Sequence, residues 1–120
     1  MTTNKSKKRA VDCDCDKFIL QVSDALEILN GKWKLPIMIS LLFGKKRFKE
    51  ISKEINGITD KMLSKELKEL EMNKLITRTV YDTFPPTVEY AITEHGRSLN
   101  MVLVPLRNWG IEHRKKIMGR

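Results

Sequence analysis

Lys61, Ser64, Lys65 and Lys68 fall at i, i+3, i+4 and i+7, so on a helix they share one face. Ammonium groups neutralise phosphates, and a lysine or a serine at close range also hydrogen-bonds the edge of a base. Leu63, Leu67 and Leu70 repeat at helical spacing on another face, which suits a helix held against a core along one side. Thr59 is placed to cap that helix, its hydroxyl accepting from one of the first unpaired amides. A charged stripe alone describes many solvated surface helices, so the meaning of Thr59–Met72 depends on what flanks it.

Other chemistry is sparse. His95 and His113 are the only histidines, neither stands near a nucleophile, and no glycine-rich loop is present to cradle phosphate. Catalysis and a bound cofactor are therefore not expected. Both cysteines lie in Asp12-Cys13-Asp14-Cys15-Asp16. Two cysteines this close rarely bridge without strain, and flanking carboxylates disfavour the thiolate. The mixed sulfur and carboxylate set could hold a metal or sense an oxidant, but no Cys-x-x-Cys or histidine-rich partner is near. The other reading is a terminal segment without a role.

The 120 residues make about one domain, and 41% hydrophobic content supplies a compact core. The longest apolar run, Leu35 to Phe43, is far shorter than the roughly 20 residues that span a bilayer. No apolar block follows the polar, lysine-rich start, so a cytoplasmic protein with no membrane partner is expected. Net charge is +8, from 23 basic against 15 acidic residues, which favours a polyanionic partner without choosing between DNA, RNA and an anionic membrane surface.

Residues 1–16 read as a flexible arm, basic and then acidic, ahead of a single domain at 17–120. From Lys17 a helix is predicted, with Phe18, Val22, Ala25, Leu26 and Leu29 in helical period and Asn30-Gly31 ending it. Ile19, Leu20 and Ile28 make this helix apolar on more than one side, so it is either deeply buried or shared with a partner subunit. A second helix, Trp33–Phe43, carries Pro36 in its first turn, is apolar nearly all round, and is the expected central core helix. Gly44 and the basic turn Lys45-Lys46-Arg47 lead into a short helix to Ile55, with Phe48, Ile51 and Ile55 facing inward. Lys45, Lys46, Arg47 and Lys49 are candidates to meet phosphate. A short helix, a turn containing Gly57, and the Thr59–Met72 helix form a helix-turn-helix, whose second helix enters the major groove.

Beyond Asn73 the period changes to two. Ile76 to Tyr81 and Thr87 to Ile92 alternate around Asp82-Thr83-Phe84-Pro85-Pro86, predicting a β-hairpin, that is, a wing across about residues 75–93, with Arg78 and Thr87 as contact candidates. Thr93 caps a last helix carrying Leu99, Val102, Leu103, Leu106 and Trp109, with a kink or break expected at Pro105 and a basic tail of Arg114, Lys115 and Lys116. The expected fold is mainly α with a small β-hairpin: a winged helix-turn-helix with added N- and C-terminal helices.

Asn30-Gly31-Lys32-Trp33, Arg47-Phe48-Lys49-Glu50-Ile51, Ile58-Thr59-Asp60-Lys61-Met62-Leu63, Leu67-Lys68-Glu69-Leu70-Glu71, Pro85-Pro86-Thr87-Val88-Glu89-Tyr90 and Thr93-Glu94-His95-Gly96 resemble, in order and spacing, the motifs of HxlR-type winged-helix transcriptional regulators. The resemblance implies a bacterial homodimer on a pseudo-palindromic duplex DNA operator, paired through its first and last helices. Phe18, Val22, Leu26, Leu103, Leu106 and Trp109 are the expected dimer residues. It leaves a small-molecule or redox effector open. Two departures stand out. Many members have Arg before the wing's Val-Glu-Tyr where this chain has Thr87, and the cysteine of redox-responsive members falls here on Leu20, not on Cys13 or Cys15. A winged-helix module that binds RNA or a protein partner is the alternative function.

Overall fold

The computed structural model describes residues 5–119, with side chains from Asp14 onward. The chain divides into two compact units, Met1–Lys32 and Trp33–Arg120.

The first unit holds α1 (Lys5–Ile28), which begins well before the expected Lys17. Lys5 to Asp16 contains no glycine or proline, and its lysines, arginine and alanine are good helix formers, so nothing stops the helix from extending back through the stretch read as an arm. The first four residues of that arm lie outside the described residues. Gly31, at φ 98°, adopts the left-handed conformation expected of the Asn30-Gly31 stop. Phe18, Leu20 and Leu26 are more than 60% exposed.

The second unit is built on α2 (Lys34–Leu42), α3 (Phe48–Glu54) and α4 (Asp60–Met72), followed by the hairpin strands β2 (Ile76–Tyr81) and β3 (Thr87–Ile92). Ile37, Met38 and Leu41 of α2 are fully buried, as are Ile51, Leu63 and Leu70, while Leu67 and Ile76 are nearly so. The core is thus the shared apolar face of the three helices closed by the base of the hairpin. Ile39 and Phe43 are exposed, so α2 is central on one face only, not all round. Among the described residues, no buried side-chain polar atom lacks a hydrogen-bond partner.

One strand was not expected. β1 (Lys46–Arg47) pairs antiparallel with β3, Lys46 opposite Tyr90 and Arg47 opposite Glu89, and gives a three-stranded sheet in the order β1-β3-β2. The basic turn is therefore an edge of the wing sheet. Lys74, at φ 62°, turns the chain from α4 into β2. Thr93 then ties this turn to the far end of β3, its hydroxyl donating to Lys74 O at 2.8 Å and its amide to Leu75 O at 3.0 Å.

Thr93 also caps α5 (Glu94–Arg97), accepting from Gly96 N at 2.8 Å, as its sequence position predicts. Gly96 lies so close to the start of β2 that an added Cβ would stand 2.2 Å from Leu75 O. The last helix, α6 (Asn100–Met118), runs through Pro105 without the break that was one of the two expectations there, and helix continuity is interrupted at Ser98-Leu99. The Ser98 hydroxyl donates to His95 O, a local bond that competes with helix continuation, whereas Pro105 removes only one donor from an exposed ladder. Arg114, Lys115 and Lys116 belong to the last turns of α6 and not to a loose tail; cations there face the negative end of the helix dipole.

Candidate nucleic-acid interface

Thr59 accepts from Met62 N at 3.1 Å and fixes the start of α4. Asp60 follows in the first turn, where a negative charge complements the dipole, and receives the Ser52 hydroxyl at 3.4 Å from α3. Gly57, at φ 89°, makes the turn between α3 and α4, and the Trp33 ring lies against it. With α4 clamped along Leu63, Leu67 and Leu70, its opposite face presents Lys61, Ser64, Lys65 and Lys68, all exposed. The predicted row is brought together.

Around it the basic candidates divide. Lys45, Arg47 and Lys49 are exposed. With Phe48, Glu50 and the Pro85–Glu89 side of the wing, they line an open groove of about 820 Å³. Lys45 is only loosely associated with Glu89, at 3.8 Å. Lys46 differs. Its ammonium reaches Glu54 at 2.6 Å, Ser40 O at 2.9 Å and the Ser40 hydroxyl at 3.1 Å, which occupies all three donors inside the fold. Hydrogen bonds from Lys46 and Ser40 hold the Glu54 carboxyl below the usual carboxylate range. Lys46 thus braces α2 against α3 and faces no ligand.

On the wing, Arg78 is exposed on β2 opposite Tyr90. Thr87 is half-buried, its hydroxyl 3.0 Å from that of Thr83, which also reaches Pro85 O at 2.7 Å. The tip is shaped by these bonds around the exposed Phe84 and a cis Phe84-Pro85 bond.

A charged cluster behind the row was missed from sequence. Lys34 and Glu66 are only 7% exposed, and the Lys34 ammonium lies 2.5 Å from Glu66 Oε1 and 2.6 Å from Glu69 Oε1. The other Glu69 oxygen faces Lys65 at 3.4 Å. Burial works against the Lys34 charge, but the hydrogen bonds and charges of Glu66 and Glu69 outweigh it and raise its pKa. Lys34 in turn depresses the Glu69 carboxyl, with a smaller contribution from Lys65. A signal was available: Lys34 precedes Ile37, Met38 and Leu41, and Glu66 stands among Leu63, Leu67 and Leu70, each charge on a buried helical face. Opposite charges at core positions of two helices call for each other.

At the ends of the chain, Phe18, Val22 and Leu26 on α1 are exposed, as are Leu106 and Trp109 on α6, with Leu103 half-buried. Trp109 stacks on His113, ring centroids 4.9 Å apart and planes 7° from parallel. Cys15 is an exposed free thiol, while the Cys13 side chain lies outside the described residues. Among the described residues, no group of His, Cys, Asp and Glu could hold a metal, and no helix is long and apolar enough to cross a membrane.

A short helix, a glycine turn, a second helix with a solvent-facing basic row, and a hairpin paired back onto the first helix's leading strand define a winged helix-turn-helix. The profile of the HxlR-like helix-turn-helix family matches residues 28–118, and the chain belongs to that family. It is similar to the HTH-type transcriptional regulator YtcD of Bacillus subtilis, 43% identical over 103 residues covering 86% of this chain and 82% of that protein. YdeP of the same organism is 40% identical over 114 residues, covering 94% and 89%. Among solved structures, the redox regulator HypR in its reduced form aligns with a TM-score of 0.76 at 36% identity, over 83% of this chain and 99% of that one. The chain is a helix-turn-helix transcriptional regulator and not an enzyme.

Proposed function

We propose that this regulator binds a pseudo-palindromic DNA operator as a homodimer, with α4 of each protomer in a major groove and the wing on the flanking backbone or minor groove. The observation that carries this reading is the exposed row Lys61, Ser64, Lys65 and Lys68 on a helix whose opposite face is fully buried. In the first half of α4, Lys61, Ser64 and Lys65 meet base edges or phosphates; Lys68, further along, meets phosphate. Thr59, Lys45, Arg47 and Lys49 contact the backbone, and Arg78 and Thr87 do so from the wing. Lys46 drops out of this set, because its ammonium is fully engaged within the fold.

Pairing through α1 and α6 is supported by their exposed apolar side chains, including Phe18, Leu26, Leu106 and Trp109. The cytoplasm is the compartment such a target implies. A redox effector at Cys13 and Cys15 is a second reading, favoured by the exposed Cys15 thiol and by the likeness to the redox regulator HypR. It predicts that diamide changes operator binding and that Cys13→Ser with Cys15→Ser abolishes the response.

Selection of bound duplexes from a random pool tests the main reading. Recovery of a two-fold symmetric sequence is expected, and Lys65→Ala should weaken binding to it about tenfold without lowering the melting temperature. Binding that prefers structured RNA over every duplex, or a monomer by sedimentation at micromolar concentration, would overturn it.

A further inference from the structure

Lys65 is the one member of the basic row with an ion-pair partner on its own helix, and that partner is itself held from behind. Glu69 gives Oε1 to Lys34 at 2.6 Å and Oε2 to Lys65 at 3.4 Å. Lys34 cannot drift: it is 7% exposed and its ammonium is also bound to the equally buried Glu66 at 2.5 Å. We propose that Glu69 is a positioning residue for DNA reading, fixed by Lys34 and in turn holding the Lys65 ammonium at one place on the recognition face. This rests on the DNA-binding reading above and adds to it a specificity device anchored in the core.

Helix stability is a poor explanation for the pair. A lysine preceding a glutamate at i, i+4 is the less favourable order against the helix dipole, and an exposed pair of this kind contributes little. A carboxylate beside the basic row also subtracts from attraction to phosphate. What it adds is order. A free lysine samples many rotamers and must lose them to make a directed contact with a base. A lysine held by a carboxylate that is itself held has lost part of that freedom before DNA arrives. The arrangement sacrifices general affinity for discrimination.

The test compares Glu69→Gln with Glu71→Gln, which removes one negative charge from an exposed position on the same helix. Binding of the full-length protein is measured to its selected duplex and to a scrambled duplex of equal length. Both variants should bind scrambled DNA more tightly, because each loses a repulsive charge. Only Glu69→Gln should lower the ratio of selected to scrambled affinity, by about fivefold, the size of a typical coupling between contacting residues. In a Lys65→Met background Glu69→Gln should leave the ratio where it is. Lys34→Met, assayed where it is folded by circular dichroism, should also lower the ratio. An unmoved ratio in Glu69→Gln, or the same fall with and without Lys65, overturns the proposal while leaving operator binding intact. A wild-type protein with no preferred duplex overturns both.

Discussion

In the winged core, Ile37, Met38, Leu41, Ile51, Leu63 and Leu70 have no exposed surface, whereas along α6 not one residue is buried. The two regions are both apolar in sequence and both helical, yet one satisfies its apolar side chains internally and the other leaves Val102, Leu106, Trp109 and Ile117 more than half exposed. The core is specified by pairing: the apolar faces of α2, α3 and α4 meet each other, and the Lys34 and Glu66 charges that intrude on α2 and α4 meet as well. α1 and α6 are specified only as helices. Their exposed apolar side chains suit the proposed pairing of two copies of the chain.

The sharpest contrast is between two glycines. Gly96→Ala should be the most damaging single change, because its Cβ would meet the Leu75 carbonyl oxygen; a loss of at least about 4 kcal/mol, or failure to fold, is expected in chemical denaturation. A mild effect would mean that α5 can separate from β2. Next in size, Lys34→Ala leaves Glu66 buried without its cation and should cost about 3 kcal/mol, while pairing Lys34→Met with Glu66→Leu should recover most of it.

The pH dependence of this cluster has a definite sign. The Lys34 pKa is raised, so its contribution is complete below the ordinary lysine value, near 10.5, and disappears as pH rises through the folded value. The Glu69 and Glu54 values are depressed, so theirs is complete above the ordinary glutamate value, near 4.5, and is lost as pH falls through the folded ones. Melting temperature should therefore be flat through neutrality and fall toward acid, with a shallower acid limb in Glu69→Gln.

Changes at the ends should spare the core. Trp109→Ala is expected to move core unfolding by less than about 0.5 kcal/mol but to weaken self-association about tenfold, read by sedimentation across concentration. Large unfolding effects without a change in association would erase the distinction drawn above. Smallest of all, Gly110→Ala adds a Cβ with nothing within 4 Å and should raise α6 helicity slightly, a gain of about 0.5–1 kcal/mol confined to that helix. Reduced association in this variant would place Gly110 inside the interface.

Much of this was legible before the structure. The Leu63, Leu67 and Leu70 stripe, the Thr59 and Thr93 caps and the two alternating strands each carry a local signal of several residues, and each appears where expected. What was not legible lacked such a signal. β1 is two residues long and cannot display a period; it is a strand only because β3 lies beside it. The helix is interrupted at Ser98-Leu99, where neither glycine nor proline marks a stop, and it runs through the proline at 105. Within the candidate site, the exposed row on α4 was readable because it shares a helix with the core stripe. The internal ion pair of Lys46 was not readable, because a lysine in a basic turn looks the same whether its ammonium faces solvent or Glu54. Lys34 and Glu66 each interrupt an apolar helical face and so were readable singly, but their pairing spans 32 residues, and no local pattern joins them.

The two-residue strand has a consequence for geometry on DNA. β1 runs directly into α3, and its pairing of Lys46 with Tyr90 and Arg47 with Glu89 hydrogen-bonds the reading head to the return strand of the wing. The helix-turn-helix and the body of the wing are thereby joined through one sheet and not only through the chain. If helix and wing both contact the operator as proposed, moving their two contact sequences apart by one base pair should weaken binding, measured against the unaltered duplex. The duplex would then have to twist or bend to restore the fit, and its stiffness would enter the binding energy.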